Sequence, residues 1–206
     1  PGPMAPLELT LQPWPQTVRL VSDLGAGQVW LDDQPPRELQ EGQLTLETLA
    51  PGKHKLRVSD RYGEASFEFE ILPGAAPLIG GPVSAKNVVA LLVSSAGGRL
   101  RLYSSLAAAK ISLDTQPGGE VGPAGLELPN VSYGTHELVI GEGADRRKFI
   151  VDIGSAPALT AFLQSDRNLG TVLLLTNEDN VTVFLNDQKY PRPTRRGQLR
   201  ITREPK

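Results

Sequence analysis

The chain holds two histidines, His54 and His136, and no cysteine. Histidine is where acid–base or metal chemistry near neutral pH is sought first. The two stand 82 residues apart, in the matching contexts Gly52-Lys53-His54-Lys55-Leu56 and Gly134-Thr135-His136-Glu137-Leu138. Each follows a glycine by two positions and shares parity with apolar strand residues, Leu56 and Val58 or Leu138 and Ile140. Each ring should therefore point inward at the start of a strand. A residue that recurs with the fold is explained by the fold, so both histidines are expected to be structural and to bond a turn carbonyl. Nothing else in the chain supplies further imidazole or thiolate ligands, so no metal site is expected.

The acidic candidates repeat as well. Asp32 and Asp114, with Asn186 in a third context, stand at hairpin ends, where such side chains accept backbone N–H bonds two residues on. Asn177-Glu178-Asp179-Asn180 lacks the ligand spacing of a calcium loop and reads as an acidic hairpin tip. Residues 189–206 are basic, with Arg192, Arg195, Arg196, Arg200 and Arg203, but the net charge is −2 and no aromatics interleave. That stretch reads as a solvated face, and no nucleic-acid partner is expected. No nucleophile elbow, phosphate loop, zinc-protease helix or dinucleotide fingerprint occurs. No catalytic residue and no cofactor are therefore assigned. Trp30, Ser112 and Phe184 occupy equivalent positions. Their parity turns them outward, which would make Trp30 and Phe184 interface residues unless a neighbouring repeat or loop covers them. Trp30 or Trp14 would also serve as a stacking platform for a sugar.

These residues are set in a repeat. Shifted by 82, Leu20 falls on Leu102, Val29 on Ile111, Leu31 on Leu113, Leu46 on Leu128 and Phe67 on Phe149, without a gap from Leu7 to Ile71. A third copy, shifted by a further 72, aligns Leu102 with Leu174 and Ile111 with Val183. Fixed-period similarity signals a tandem array. Almost every segment alternates with period two, and Gly, Pro, Asn and Asp clusters separate them. Strands are predicted at 7–12, 17–22, 28–32, 43–47, 54–59 and 65–71; at 88–94, 99–104, 110–114, 125–128, 135–140 and 147–153; and at 159–165, 171–176, 181–186 and 198–202.

The predicted fold is all-β: tandem small antiparallel β-sandwiches of immunoglobulin-like type, the third incomplete. The domains read as 5–73, a Pro/Gly-rich linker at 74–86, 87–155, and a truncated third repeat at 156–206. The third lacks counterparts of 135–140 and 147–153, so it is expected to lean on repeat two or to self-associate. No apolar run is long enough to insert in a membrane as a helix.

Several motifs carry a family resemblance: Ser22-Asp23-Leu24-Gly25-Ala26 leading to Val29-Trp30-Leu31-Asp32, Thr176-Asn177 leading to Phe184-Leu185-Asn186-Asp187, Pro51-Gly52-Lys53-His54-Lys55-Leu56-Arg57-Val58, and Gly134-Thr135-His136-Glu137-Leu138-Val139-Ile140. This pattern resembles the bacterial PEGA domain, a small tandem β-sandwich. Asp33, Thr115 and Asp187 stand where that family has glycine. The resemblance implies a non-catalytic, extracytoplasmic module in the periplasm or at the cell surface. It would be the structural or protein-interaction part of a larger envelope-associated protein, with flanking domains or a protein as partner. The alternative is a carbohydrate- or ligand-binding module using exposed aromatics.

Overall fold

The computed structural model describes residues 16–24, 27–61, 63–165, 169–185, 188–190 and 192–205. Trp14, Asn186 and the predicted strand 7–12 lie outside them. The described chain is all-β, mostly antiparallel, with one 3-10 turn at Gly143–Asp145 and no α-helix. It forms two compact units, Pro1–Gln164 and Ser165–Lys206.

In the first unit the 82-residue offset survives as strand register. β1 (Thr17–Ser22) pairs with β4 (Gln43–Glu47) so that Leu20 faces Leu44. Likewise β10 (Arg99–Ser104) pairs with β13 (Leu126–Leu128), and Leu102 faces Leu126. β2 (Gln28–Leu31) lies beside β5 (Gly52–Ser59) with Leu31 opposite Leu56. β11 (Ala109–Leu113) lies beside β14 (Gly134–Ile140) with Leu113 opposite Leu138. Finally β5 pairs with β6 (Glu64–Ile71), and β14 with β15 (Arg147–Ile153), bringing Leu56 to Phe67 and Leu138 to Phe149.

What joins the two repeats is one continuous sheet. Its order is β13-β10-β9-β16-β1-β4, where β9 is Val88–Ala96 and β16 is Ala158–Ser165. Two outer sheets cover its two faces. One is β3 (Arg37–Glu38), β2, β5, β6 and β7 (Leu78–Ile79), with β8 (Ser84–Lys86) also on β6. The other is β12 (Gln116–Val121), β11, β14 and β15. Side-chain alternation along the middle strands feeds both cores. Ala90 and Leu92 of β9 pack into the first core with Leu20, Leu56 and Phe67. Leu91 and Val93 pack into the second with Leu102, Leu138 and Phe149. Each such leucine, fully buried, contributes about 1.5–3 kcal/mol.

The strand predicted at 159–165 opens the third repeat in the sequence reading. In the structure it lies beside β1, parallel to it, with Leu20 opposite Ala161. Its own composition explains this. Leu159, Ala161 and Leu163 face the first core while Phe162 faces the second. A strand apolar on both faces needs cover on both, and the middle of a three-layer stack supplies it. The stretch read as a linker is also structured: β7 and β8 pair onto the outer edge of β6, and Val83 enters the first core.

In the second unit β17 (Leu169–Leu175) pairs antiparallel with β20 (Gln198–Pro205), the counterparts of β10 and β13. The short β18 (Phe184–Leu185) pairs with β19 (Gln188–Lys189). Val183 and Leu199 form its small core with Leu174 and Tyr190. The hydroxyl of buried Thr194 accepts the Val181 N–H and donates to the Glu178 carbonyl.

Candidate functional site

The structure unites the two histidines with the two aspartates. Each histidine closes on the aspartate 22 residues before it. His54 Nδ1 lies 2.8 Å from Asp32 Oδ2, and its Nε2 lies 2.8 Å from the Ala50 carbonyl. His136 Nδ1 lies 2.5 Å from Asp114 Oδ2, and its Nε2 lies 2.9 Å from the Ser132 carbonyl. The second carboxylate oxygen is used too. Asp32 Oδ1 accepts the Lys55 N–H at 2.7 Å, and Asp114 Oδ1 accepts the Glu137 N–H at 2.9 Å. The bond thus runs across to the neighbouring strand, not to an amide two residues on as the sequence reading expects. The reason is the backbone: Asp32 and Asp114 have φ of 52° and 47°, which turns the carboxylate back over the strand. Aspartate is among the few residues that adopt this left-handed region readily. Gly52 and Gly134, with φ of 127° and 133°, turn the chain into the strand that carries each histidine.

Both ring nitrogens of each histidine face acceptors, a carboxylate and a carbonyl. Only the doubly protonated imidazolium satisfies both. Burial by itself would lower the pKa of His54, but the bonds to the Ala50 carbonyl and to Asp32 outweigh it, and the value is raised above 6.5. For His136 the bond to Asp114 dominates and also raises it. Asp32 is partly buried, which would raise its pKa, yet the Lys55 N–H and His54 hold it below 3.8. Asp114 is lowered chiefly by the bond from His136. The result is a charged clamp that ties the β2–β3 or β11–β12 turn to the loop before β5 or β14. His54 also stacks on Phe69 at 5.4 Å. Every polar atom of the clamp is bonded to the fold, so neither ring presents a free nitrogen to a substrate. A groove of about 330 Å³ runs beside the second clamp, between Gln116–Gly118 and Pro129–Ser132.

The outward aromatics fare differently. Trp30 is half-buried on the outer face of its sheet, and the Arg57 guanidinium lies 4.9 Å above its ring. Arg57 also reaches Glu64 at 3.6 Å. Phe184 is 63% exposed. Ser112, the third equivalent, is half-buried. Among the described residues no group of three or more His, Cys, Asp or Glu is placed to hold a metal ion.

In the sequence the histidines and the aspartates stand as separate sets. The signal that could have joined them is their common spacing, Asp32 to His54 and Asp114 to His136. Nothing local marks Arg57 as the cover of Trp30; that pair is a cross-strand neighbour relation. No family model, no curated protein and no solved structure matches the chain.

Proposed function

We propose that this chain is a non-catalytic structural and protein-interaction module of a larger envelope-associated bacterial protein, built from PEGA-like sandwich repeats. One observation carries the reading. The two His–Asp pairs of the described residues share one geometry, and both are spent on holding a turn. The turn aspartate and the Gly-x-His-x-Leu strand, on which the family resemblance rests, are the elements this clamp joins. A second support is the shared central sheet, which makes two repeats one body suited to spacing or presenting a surface. By the family resemblance the module would work outside the cytoplasm.

The carbohydrate-binding alternative asks for an open aromatic face. Trp30 does not offer one, because Arg57 lies over it. Glycan-array binding is the direct test. The module reading expects no glycan signal and unchanged behaviour in Trp30→Ala and Phe184→Ala. A specific glycan signal lost in either variant would replace it with the alternative.

A further inference from the structure

The two repeats differ at one edge of their outer sheets. In repeat one the outer edge of β6 is covered: Ile79 stands opposite Phe69, Ser84 opposite Ser66, and Gly80 donates its N–H to the Glu68 carbonyl at 2.9 Å. The register equivalent of β6 is β15. Where the chain after β6 folds back as β7 and β8, the chain after β15 leaves to become β16 in the central sheet. Among the described residues, β15 therefore has no strand on its outer side. By pairing parity the N–H and C=O groups of Lys148, Ile150 and Asp152 point outward there, and of these the Lys148 carbonyl accepts a long hydrogen bond from Gln164 Nε2 at 3.5 Å. Ile150 is 59% exposed.

Beside this edge lies a groove of about 400 Å³. Its wall is Ile150 to Asp152, and its floor includes Arg19, Val21, Thr45 and Phe162 from the central sheet. The floor exists because the central sheet continues past β16 through β1 and β4. We propose that the outer edge of β15 and this groove take up an extended peptide of a protein partner, added as one antiparallel strand in the place that β7 and β8 fill on β6. This rests on the interaction-module reading and names its surface.

The geometry selects the occupant. Two copies pairing β15 to β15 about a two-fold axis would put both central sheets on the same side, and each projecting β1–β4 floor would collide with the other. A single strand fits. Its chemistry follows from the covered edge, where Glu64 stands opposite Lys86. The 82-residue offset puts the exposed Arg146 at the Glu64 position, while Arg147 beside it is buried and Lys148 is held by Glu137 at 3.0 Å. The charge is reversed, so the peptide carries an acidic residue where β8 carries Lys86. Opposite Val151 it carries an apolar residue, as Ile79 stands opposite Phe69, to fill the groove over Val21 and Phe162. Added-strand recognition takes its affinity from main-chain bonds and its selectivity from such alternate side chains.

The test uses a labelled synthetic peptide of residues 76–87 of this chain carrying Lys86→Glu, with the unaltered peptide as control. Fluorescence anisotropy should show the Lys86→Glu peptide binding about three- to tenfold tighter than the control, the scale of a reversed exposed charge pair. Amide exchange at Lys148, Ile150 and Asp152 should slow on binding. Ile150→Pro removes only an outward N–H at an edge, where proline is tolerated, and should abolish binding with the thermal transition retained. Should that variant not fold, Thr45→Trp, which fills the floor from an exposed site, should abolish binding equally. No binding of either peptide, binding indifferent to these variants, or a dimer in sedimentation that Ile150→Pro dissolves would overturn the proposal. A glycan signal would instead overturn the module reading, whatever the peptides do.

Discussion

Removing the histidine of a clamp tests the central reading of this structure most directly. In His54→Ala two bonds go: one to a carboxylate and one to the Ala50 carbonyl. A net protein hydrogen bond is worth about 1 kcal/mol, and one to a charged group about 1.5–3 kcal/mol. Asp32 is a third exposed, which screens its share and pulls the sum toward about 2 kcal/mol. Over a unit of this size that lowers Tm by about 4–8 °C. His136→Ala should move in the same direction.

The pH dependence is the sharper readout. Both histidine pKa values are raised in the fold. Their contribution is complete below the unfolded value of 6.5 and is lost as pH rises through the folded value above it. Both aspartate values are lowered, so their contribution is complete above 3.8 and is lost as pH falls through the folded value below it. Stability should therefore hold from about pH 4 to 6.5 and decline on the alkaline side. Urea titrations from pH 5 to 9 should show that decline in the parent and its absence in the His54→Ala, His136→Ala double variant. Equal slopes in the two proteins would mean that the rings are not held as imidazolium, and the clamp reading would fail.

Further predictions follow from single positions. Thr115 is a β-branched residue at φ 71°, so Thr115→Gly should raise stability by about 1 kcal/mol in chemical denaturation. Leu92 fills the first core from a strand that also fills the second, so Leu92→Ala should cost about 2–5 kcal/mol. Calorimetry should then show one lowered transition for both repeats; separate melting of the two would refute the shared sheet. Arg57→Ala should uncover Trp30 at a cost of about 0.5–1 kcal/mol and shift its emission to the red, read in a Trp14→Phe background.

Much of the fold is legible in the sequence because its causes are local. Alternation sets which face of a strand is buried, and turn residues set where it ends. The 82-residue offset then carried over residue for residue into the pairing of β1 with β4, β2 with β5 and β5 with β6, and of their counterparts. The inward aim of His54 and His136 follows from the same parity, and so does their bond to a turn carbonyl.

The placement of β16 and the partners of the histidines were decided elsewhere. Leu159-Thr160-Ala161-Phe162-Leu163 shows a strand wanting cover on both faces, but not which sheet provides it. Its neighbour β1 lies more than a hundred residues earlier, and only two assembled cores make that slot available. The aspartate–histidine bond likewise needs the left-handed turn at Asp32 or Asp114 and the neighbouring strand to be in place before the carboxylate and the ring can meet. The edge of β15, which has no neighbouring strand among the described residues, is the clearest case. Its sequence differs little in pattern from that of β6, and what separates them is where the following chain goes. Periodicity states what each strand needs to bury. Which strand supplies the cover is settled by competition among all of them at once, and that is a property of the assembled structure.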